Sequence, residues 1–217
     1  MSISQILQPL LANWPSFAAL FGFWVLFKIL ASPVFKGWLG EIMVNRIGLK
    51  RLDPALYRTF GDIYLPRPDG KGTTQIDHIV VSRFGIFVIE TKNYKGWIFG
   101  SESQRQWTQQ IYRKKSSFQN PLHQNKLHVR ALMSFLGLPE NRFLPVVFFI
   151  GNSQFKTPMP PNVLNRGLLS WIKGHTAPQL DEKAVQQANS RLDQLSLSTD
   201  RKAAARHHVE SLQARRA

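Results

Sequence analysis

Thr74-Gln75-Ile76-Asp77-His78-Ile79-Val80-Val81, then Ser82-Arg83-Phe84-Gly85, then Ile86-Phe87-Val88-Ile89-Glu90-Thr91-Lys92 is the stretch on which the reading of this chain turns. Two runs rich in β-branched and aromatic residues flank a short segment closed by Gly85, which predicts two antiparallel strands joined by a four-residue hairpin loop. If Val81 faces Ile86 across that loop, the same register sets Asp77 opposite Glu90 and Gln75 opposite Lys92. Paired residues share a face, and alternate residues along a strand share it too. Gln75, Asp77, Glu90 and Lys92 are therefore expected to form one polar cluster, with Ile76, His78, Ile89 and Thr91 on the other face.

Two carboxylates facing each other among Val and Ile repel, and burying them costs several kcal/mol without compensation. A divalent cation supplies that compensation. Mg²⁺ prefers oxygen ligands and is commonly held by one or two carboxylates together with substrate phosphate and waters. It polarises a phosphate and lowers the pKa of a bound water. Lys92, two residues past Glu90, is placed to orient that water or to offset phosphate charge. The same residues also suit cross-strand ion pairs on a solvated sheet face; the apolar character of both strands speaks against full solvation, and spacing alone leaves both readings open.

Working outward, 57–65 predicts a short strand and Pro66, Pro68, Asp69 and Gly70 a turn. Gly96 to Trp107 predicts one or two further strands, 121–136 a helix, and Phe143 to Ile150 a buried strand. A Pro-rich loop spans 151–162, and regular structure resumes over 163–172. Residues 180–195 predict a surface helix, and 201–217 a basic helical tail. Lys36 to Asp53 carries an apolar stripe (Leu39, Ile42, Met43, Ile47, Leu49) and predicts a helix with Glu41 in its first turns. Trp97 and Trp107 suit core positions, with base stacking as the alternative. His123 and His128 share the 121–136 helix at a spacing unhelpful for a metal, and His78 is expected to be a satisfied core residue.

The 217-residue chain carries 28 Lys and Arg against 13 Asp and Glu, a formal charge of +15. That excess favours nucleic acid or an anionic lipid surface as partner. It has no cysteine, which excludes disulfides, thiolate metal sites and cysteine nucleophiles. Residues 17–35 are almost wholly apolar, with Lys28 as the one charge, and the length suits a single transmembrane helix. Lys36, Arg46, Lys50 and Arg51 follow it, so the positive-inside rule keeps the following domain cytoplasmic. A buried or interfacial helix is the alternative.

The ordered series Gly40-Glu41, Gln75-Ile76-Asp77-His78, Gly85-Ile86-Phe87-Val88-Ile89-Glu90-Thr91-Lys92-Asn93, Tyr94-Lys95-Gly96, Trp107 and Asn120-Pro121-Leu122-His123-Gln124 resembles the nuclease-related domain, NERD. That family is similar to the restriction-endonuclease-like PD-(D/E)XK nucleases. The resemblance runs from Gly40 to about Leu136. It implies that Asp77 and Glu90 are metal ligands, Lys92 the catalytic lysine, Glu41 the auxiliary acid, and Gln124 a contact to metal-bound water or DNA. Ile76 stands where the nuclease name has proline, a variation the superfamily tolerates.

The expected architecture is an α/β fold with a restriction-endonuclease-like mixed central sheet flanked by helices and preceded by one transmembrane helix. Residues 1–35 form the anchor, 36–175 the nuclease-like domain and 176–217 a basic extension. The expected function is Mg²⁺- or Mn²⁺-dependent phosphodiester hydrolysis of nucleic acid, with DNA favoured. A non-catalytic, membrane-tethered nucleic-acid-binding or scaffolding module is the alternative.

Overall fold

The computed structural model describes residues 21–24, 28 and 48–198. The chain divides into two compact units, 1–40 and 41–217. In the first, residues 21–24 and 28 are helical, and Phe21, Phe23 and Trp24 are exposed. No helix among the described residues is long and apolar enough to cross a membrane. The expected anchor over 1–35, the stripe preceding Leu49, Glu41 and the basic tail lie largely or wholly outside the described residues.

The second unit is mixed α/β, with two mixed sheets where the sequence predicts one central sheet. Strands β1 (Arg58–Pro66), β2 (Thr73–Ser82), β3 (Gly85–Asn93), β7 (Phe143–Ile150) and β9 (Val163–Leu164) form a five-stranded sheet in the order β1-β2-β3-β7-β9. Strands β4 (Gly96–Phe99), β5 (Gln106–Ile111), β6 (Lys114–Gln119) and β8 (Ser153–Phe155) form a second sheet in the order β6-β5-β4-β8. The split falls at Asn93–Gly96. There β3 ends its parallel pairing with β7, and Gly96 takes a positive φ of 80° against Gln110, where a Cβ would meet the carbonyl oxygen at 2.5 Å.

Helix α1 (Pro121–Leu136) lies over one face of the larger sheet, α3 (Glu182–Ser198) joins it there, and α2 (Leu168–Gly174) covers the other. Strand β3 is buried on both faces, as a central strand between an antiparallel and a parallel neighbour should be. Ile86 and Val88 pack with Val129, Leu132 and Leu192, whereas Phe87 and Ile89 pack with Leu168 and Ile172. Alternation along β3 thus directs Glu90 and Lys92 to the α1 face. The 180–195 segment is less superficial than expected, because Ala188 and Leu192 enter that core.

The β2–β3 register is the predicted one, Val81 facing Ile86, but the turn is tighter: Ser82 pairs with Gly85, so only Arg83 and Phe84 lie outside the ladder. The ladder ends at His78–Ile89, one pair before Asp77 would meet Glu90. On the other side, β1 pairs with β2 at Gly61–His78 and Ile63–Ile76, and the intervening Asp62 has φ 55°. The pleat changes phase there. Phe60 and Ile79 belong to the α1-side core, and so do Ile63 and Ile76, although strict alternation would separate them. Asp77 sits at this interruption.

Candidate active site

Helix α1 is fixed at its start by residues the sequence makes prominent. Asn120 accepts from the Leu122 amide at 2.9 Å, while its own amide donates to the carbonyls of Ser101, Glu102 and Gln104. Pro121 follows at the first helical position, where its missing N–H leaves no bond unmade. Asn125 then donates to Val88 O and Val146 O, both at 3.0 Å, pinning the helix onto β3 and β7. With the helix anchored at two points, Gln124 and His128, one turn apart on one face, are presented to the sheet.

A continuous polar chain results. Lys92 Nζ lies 2.6 Å from Glu90 Oε1 and donates to Gln124 Oε1 at 2.9 Å. The other oxygen of Glu90 lies 2.9 Å from His128 Nε2, and His128 Nδ1 lies 2.9 Å from Thr74 Oγ1. A carboxylate can only accept, so Nε2 carries the hydrogen; Nδ1 accepts the threonine hydroxyl in the neutral ring and donates to Thr74 Oγ1 in the charged one. Asp77 Oδ2 receives both the amide and the hydroxyl of Thr91, at 2.8 and 2.7 Å. Its carboxylate fills the place in the ladder that the missing pair leaves.

The two acids are poised differently. Burial pushes Asp77 up and the nearby Glu90 charge adds to it; Thr91 and Lys92 offset part, leaving it at about 6. Burial would raise Glu90 as well, but the His128 hydrogen bond and the Lys92 ammonium outweigh it and hold it below the usual carboxylate range. His78 is depressed chiefly by burial, and its Nε2 has no hydrogen-bond partner among the described residues, so it is a core histidine but not a fully satisfied one there.

Of the residues singled out by sequence, Glu90, Lys92 and Gln124 are joined directly by hydrogen bonds, with Asp77 close enough to feel the Glu90 charge. Gln75 is not part of the cluster; the change of pleat phase turns it away, and it donates to Asp62 instead. Thr74, Thr91 and His128 were missed. For His128 the signal was present: it lies four residues after Gln124 in a predicted helix, one turn along the same face. Trp107 is a core residue, fully buried, with Nε1 bonded to Ser101 O, whereas Trp97 is 45% exposed.

A metal ion was expected on Asp77 and Glu90. Among the described residues no group of three or more His, Asp or Glu side chains is placed to share one. The donor chemistry of the pair nonetheless fits a hard divalent cation: two buried carboxylates, the charge of Glu90 raising Asp77, with Asp77 Oδ1 making no hydrogen bond among the described residues.

An acid pair and a lysine at the edge of a β2–β3 hairpin, roofed by a helix with a glutamine, brings together the residues that the sequence resemblance to a nuclease-like domain singled out. Residues 36–150 match the nuclease-related domain family, NERD, and the chain belongs to it. That family lies within the restriction-endonuclease-like superfamily. The chain is similar to an uncharacterized protein of Bacillus anthracis, 53% identical over 100 residues, a stretch that covers 46% of each protein. The match thus spans about half the length of that relative. No solved structure matches the chain.

Proposed function

We propose that this chain is a membrane-anchored nuclease that hydrolyses phosphodiester bonds in nucleic acid, DNA in the first instance, with Mg²⁺ or Mn²⁺ bound by Asp77 and Glu90. The observation that carries the proposal is the join between Glu90, Lys92 and Gln124 beside Asp77, made by a hairpin and a helix distant in sequence. A purely structural ion pair gives no reason for a second, buried acid at the same place, raised by burial and by the charge of Glu90. A cation held there would supply stabilisation of phosphate charge and a water of lowered pKa.

Each residue of the chain has a defined part. The Lys92 ammonium, held between Glu90 and Gln124, has a third hydrogen to give to a phosphate oxygen or to the attacking water. Gln124 fixes the direction of that ammonium. His128 and Thr74 lock the Glu90 carboxylate in one rotamer, so the site is organised before substrate arrives. Glu41 is proposed as an auxiliary acid on family resemblance alone. The apolar sequence of 17–35 and the exposure of Phe21, Phe23 and Trp24 support the tether, with the domain on the cytoplasmic side.

The test incubates the purified full chain, in detergent micelles, with supercoiled DNA, linear DNA and RNA in Mg²⁺, Mn²⁺ or EDTA. Cleavage that needs the metal and is lost in both Glu90→Ala and Lys92→Ala establishes the proposal and names the substrate. A folded wild type that binds nucleic acid without cutting it overturns the enzyme in favour of a tethered binding module.

A further inference from the structure

The smaller sheet carries chemistry the acid–lysine cluster does not use. Strands β4, β5, β6 and β8 contain no Asp or Glu. Pairing sets Gln154, Trp97, Gln110 and Lys115 in one row across all four strands, on the face opposite the buried Ile98. Trp97 is 45% exposed, and Lys156 Nζ stands 4.8 Å from its ring centroid. Nothing in the core requires an indole there; the sheet is held from its inner face by Trp107, stacked on Phe149 at 6.2 Å.

One end of this face is the β5–β6 turn. Tyr112, at φ 51°, is 94% exposed there, and Arg113, Lys114 and Lys115 follow in sequence, all exposed and none in an ion pair among the described residues. At the other end, Gln106 and Gln119 line a polar recess of about 650 Å³ together with Arg105 and His123. His123 is the residue before Gln124 in α1, so the face leads from the basic turn to the helix end that holds Lys92.

We infer that the exposed face of the four-stranded sheet is a platform for single-stranded nucleic acid, with Trp97 stacking a base and Lys115, Lys156 and the Arg113–Lys114 turn holding successive phosphates. The inference deepens the function proposed above and rests on its nucleic-acid reading. An aromatic ring on a cationic sheet takes unpaired bases, whose faces a duplex hides. Interleaved glutamines are suited to hydrogen-bond base edges. A lipid surface would favour clustered cations beside insertable apolar side chains, and only the turn at Ile111–Lys115 has these; the row leading away from it carries one cation and two glutamines around Trp97 and runs toward the polar recess, which suits bases and phosphates better.

The experiment uses the full chain in micelles with EDTA present, so that binding is read without cleavage. Fluorescence anisotropy follows an oligothymidylate of about 20 nucleotides and a duplex of equal length; phosphatidylglycerol vesicles are assayed in parallel. Trp97→Ala should weaken single-strand binding roughly tenfold with a much smaller effect on duplex, and Trp97→Phe should restore most of it. Lys115→Glu with Lys156→Glu should weaken binding further and flatten the dependence of log Kd on log salt, while Lys183→Glu on α3 leaves both unchanged. Melting temperatures verify folding, and Trp97→Phe against Trp97→Leu serves if the alanine variant does not fold. Platform variants within about twofold of wild type overturn the inference alone. Equal losses on duplex and single strand overturn it too, as does a loss confined to vesicles, which assigns the face to a membrane. A wild type that binds neither nucleic acid overturns the proposed function as well.

Discussion

Glu90 is a nearly fully buried carboxylate with a partner on each oxygen, and its environment makes His128 a positioning residue. Removing the imidazole leaves one oxygen of a buried anion without a donor, a loss of about 1–3 kcal/mol. His128→Ala should therefore lower the melting temperature and, under the proposed function, reduce kcat more than KM. His128→Gln, which returns an N–H to the carboxylate, should recover part of both. Equal activity of His128→Ala and wild type across pH would show that His128 has no part in organising the site.

Asp77 responds to pH in the opposite sense from an ordinary surface acid. Its folded value of about 6 lies above the ordinary 3.8, so the folded chain holds more protons than the unfolded one between those limits. The stability it contributes is present below about 3.8 and is lost as pH rises through about 6. In EDTA, Asp77→Asn should be more stable than wild type at pH 7.5, by about 1–2 kcal/mol after allowing for partial solvation, and the gap should shrink to roughly a third of that at pH 4.5 and close below about 3.8. Urea titrations of both proteins at the two pH values read this directly. A gap that is constant with pH would mean Asp77 is ionised throughout.

At the scale of elements, the site depends on how α1 is set on the sheet. Asn120 does this with one accepted and three donated hydrogen bonds in a buried position. Asn120→Asp retains the oxygen that caps the helix but loses the donors to three carbonyls; Asn120→Ala loses both. The alanine variant should lose about 1–3 kcal/mol, and the aspartate variant should be no better, because a carboxylate then faces carbonyl oxygens. Were the aspartate variant as stable as wild type, capping alone would explain the residue. The β4–β5 connection is equally constrained: a Cβ on Gly100 would stand 2.3 Å from the Trp107 ring, so Gly100→Ala should displace the indole and destabilise the small sheet.

Across the whole molecule, the two units and the two sheets divide the labour of the proposed function. The larger sheet with α1 organises the acid–lysine cluster, and the smaller one offers an acid-free, aromatic face. Mg²⁺ at millimolar concentration should raise the melting temperature of wild type by several degrees, because a ligand of the folded state alone stabilises it by mass action. The shift should vanish in Asp77→Asn. An equal shift in both proteins would place the ion elsewhere on the chain.

Much of this was legible in the linear chain because the controlling interactions are local. The hairpin register followed from alternation and a short Gly85-closed turn, and the helix over 121–136 was read in place, its ends being set in the structure by the Asn120 cap with Pro121 and by Gly137 at φ 70°. The candidates Asp77, Glu90 and Lys92 stood out because charged residues interrupt apolar strands. Tertiary structure alone decided what depends on distant neighbours. Asp77 left its pair with Glu90 where the β1–β2 ladder breaks at Asp62, and its carboxylate took the Thr91 amide and hydroxyl instead. Gln75 rotated away for the same reason. His128 joined Glu90 because Asn120 and Asn125 tie α1 to segments that no local pattern specifies. The second sheet begins where β4 and β8 continue the parallel β3–β7 pair beyond Gly96, with β5 and β6 taking the side of β4 that β2 and β1 take on β3. Strand order and helix placement are set by long-range burial, which sequence periodicity does not encode.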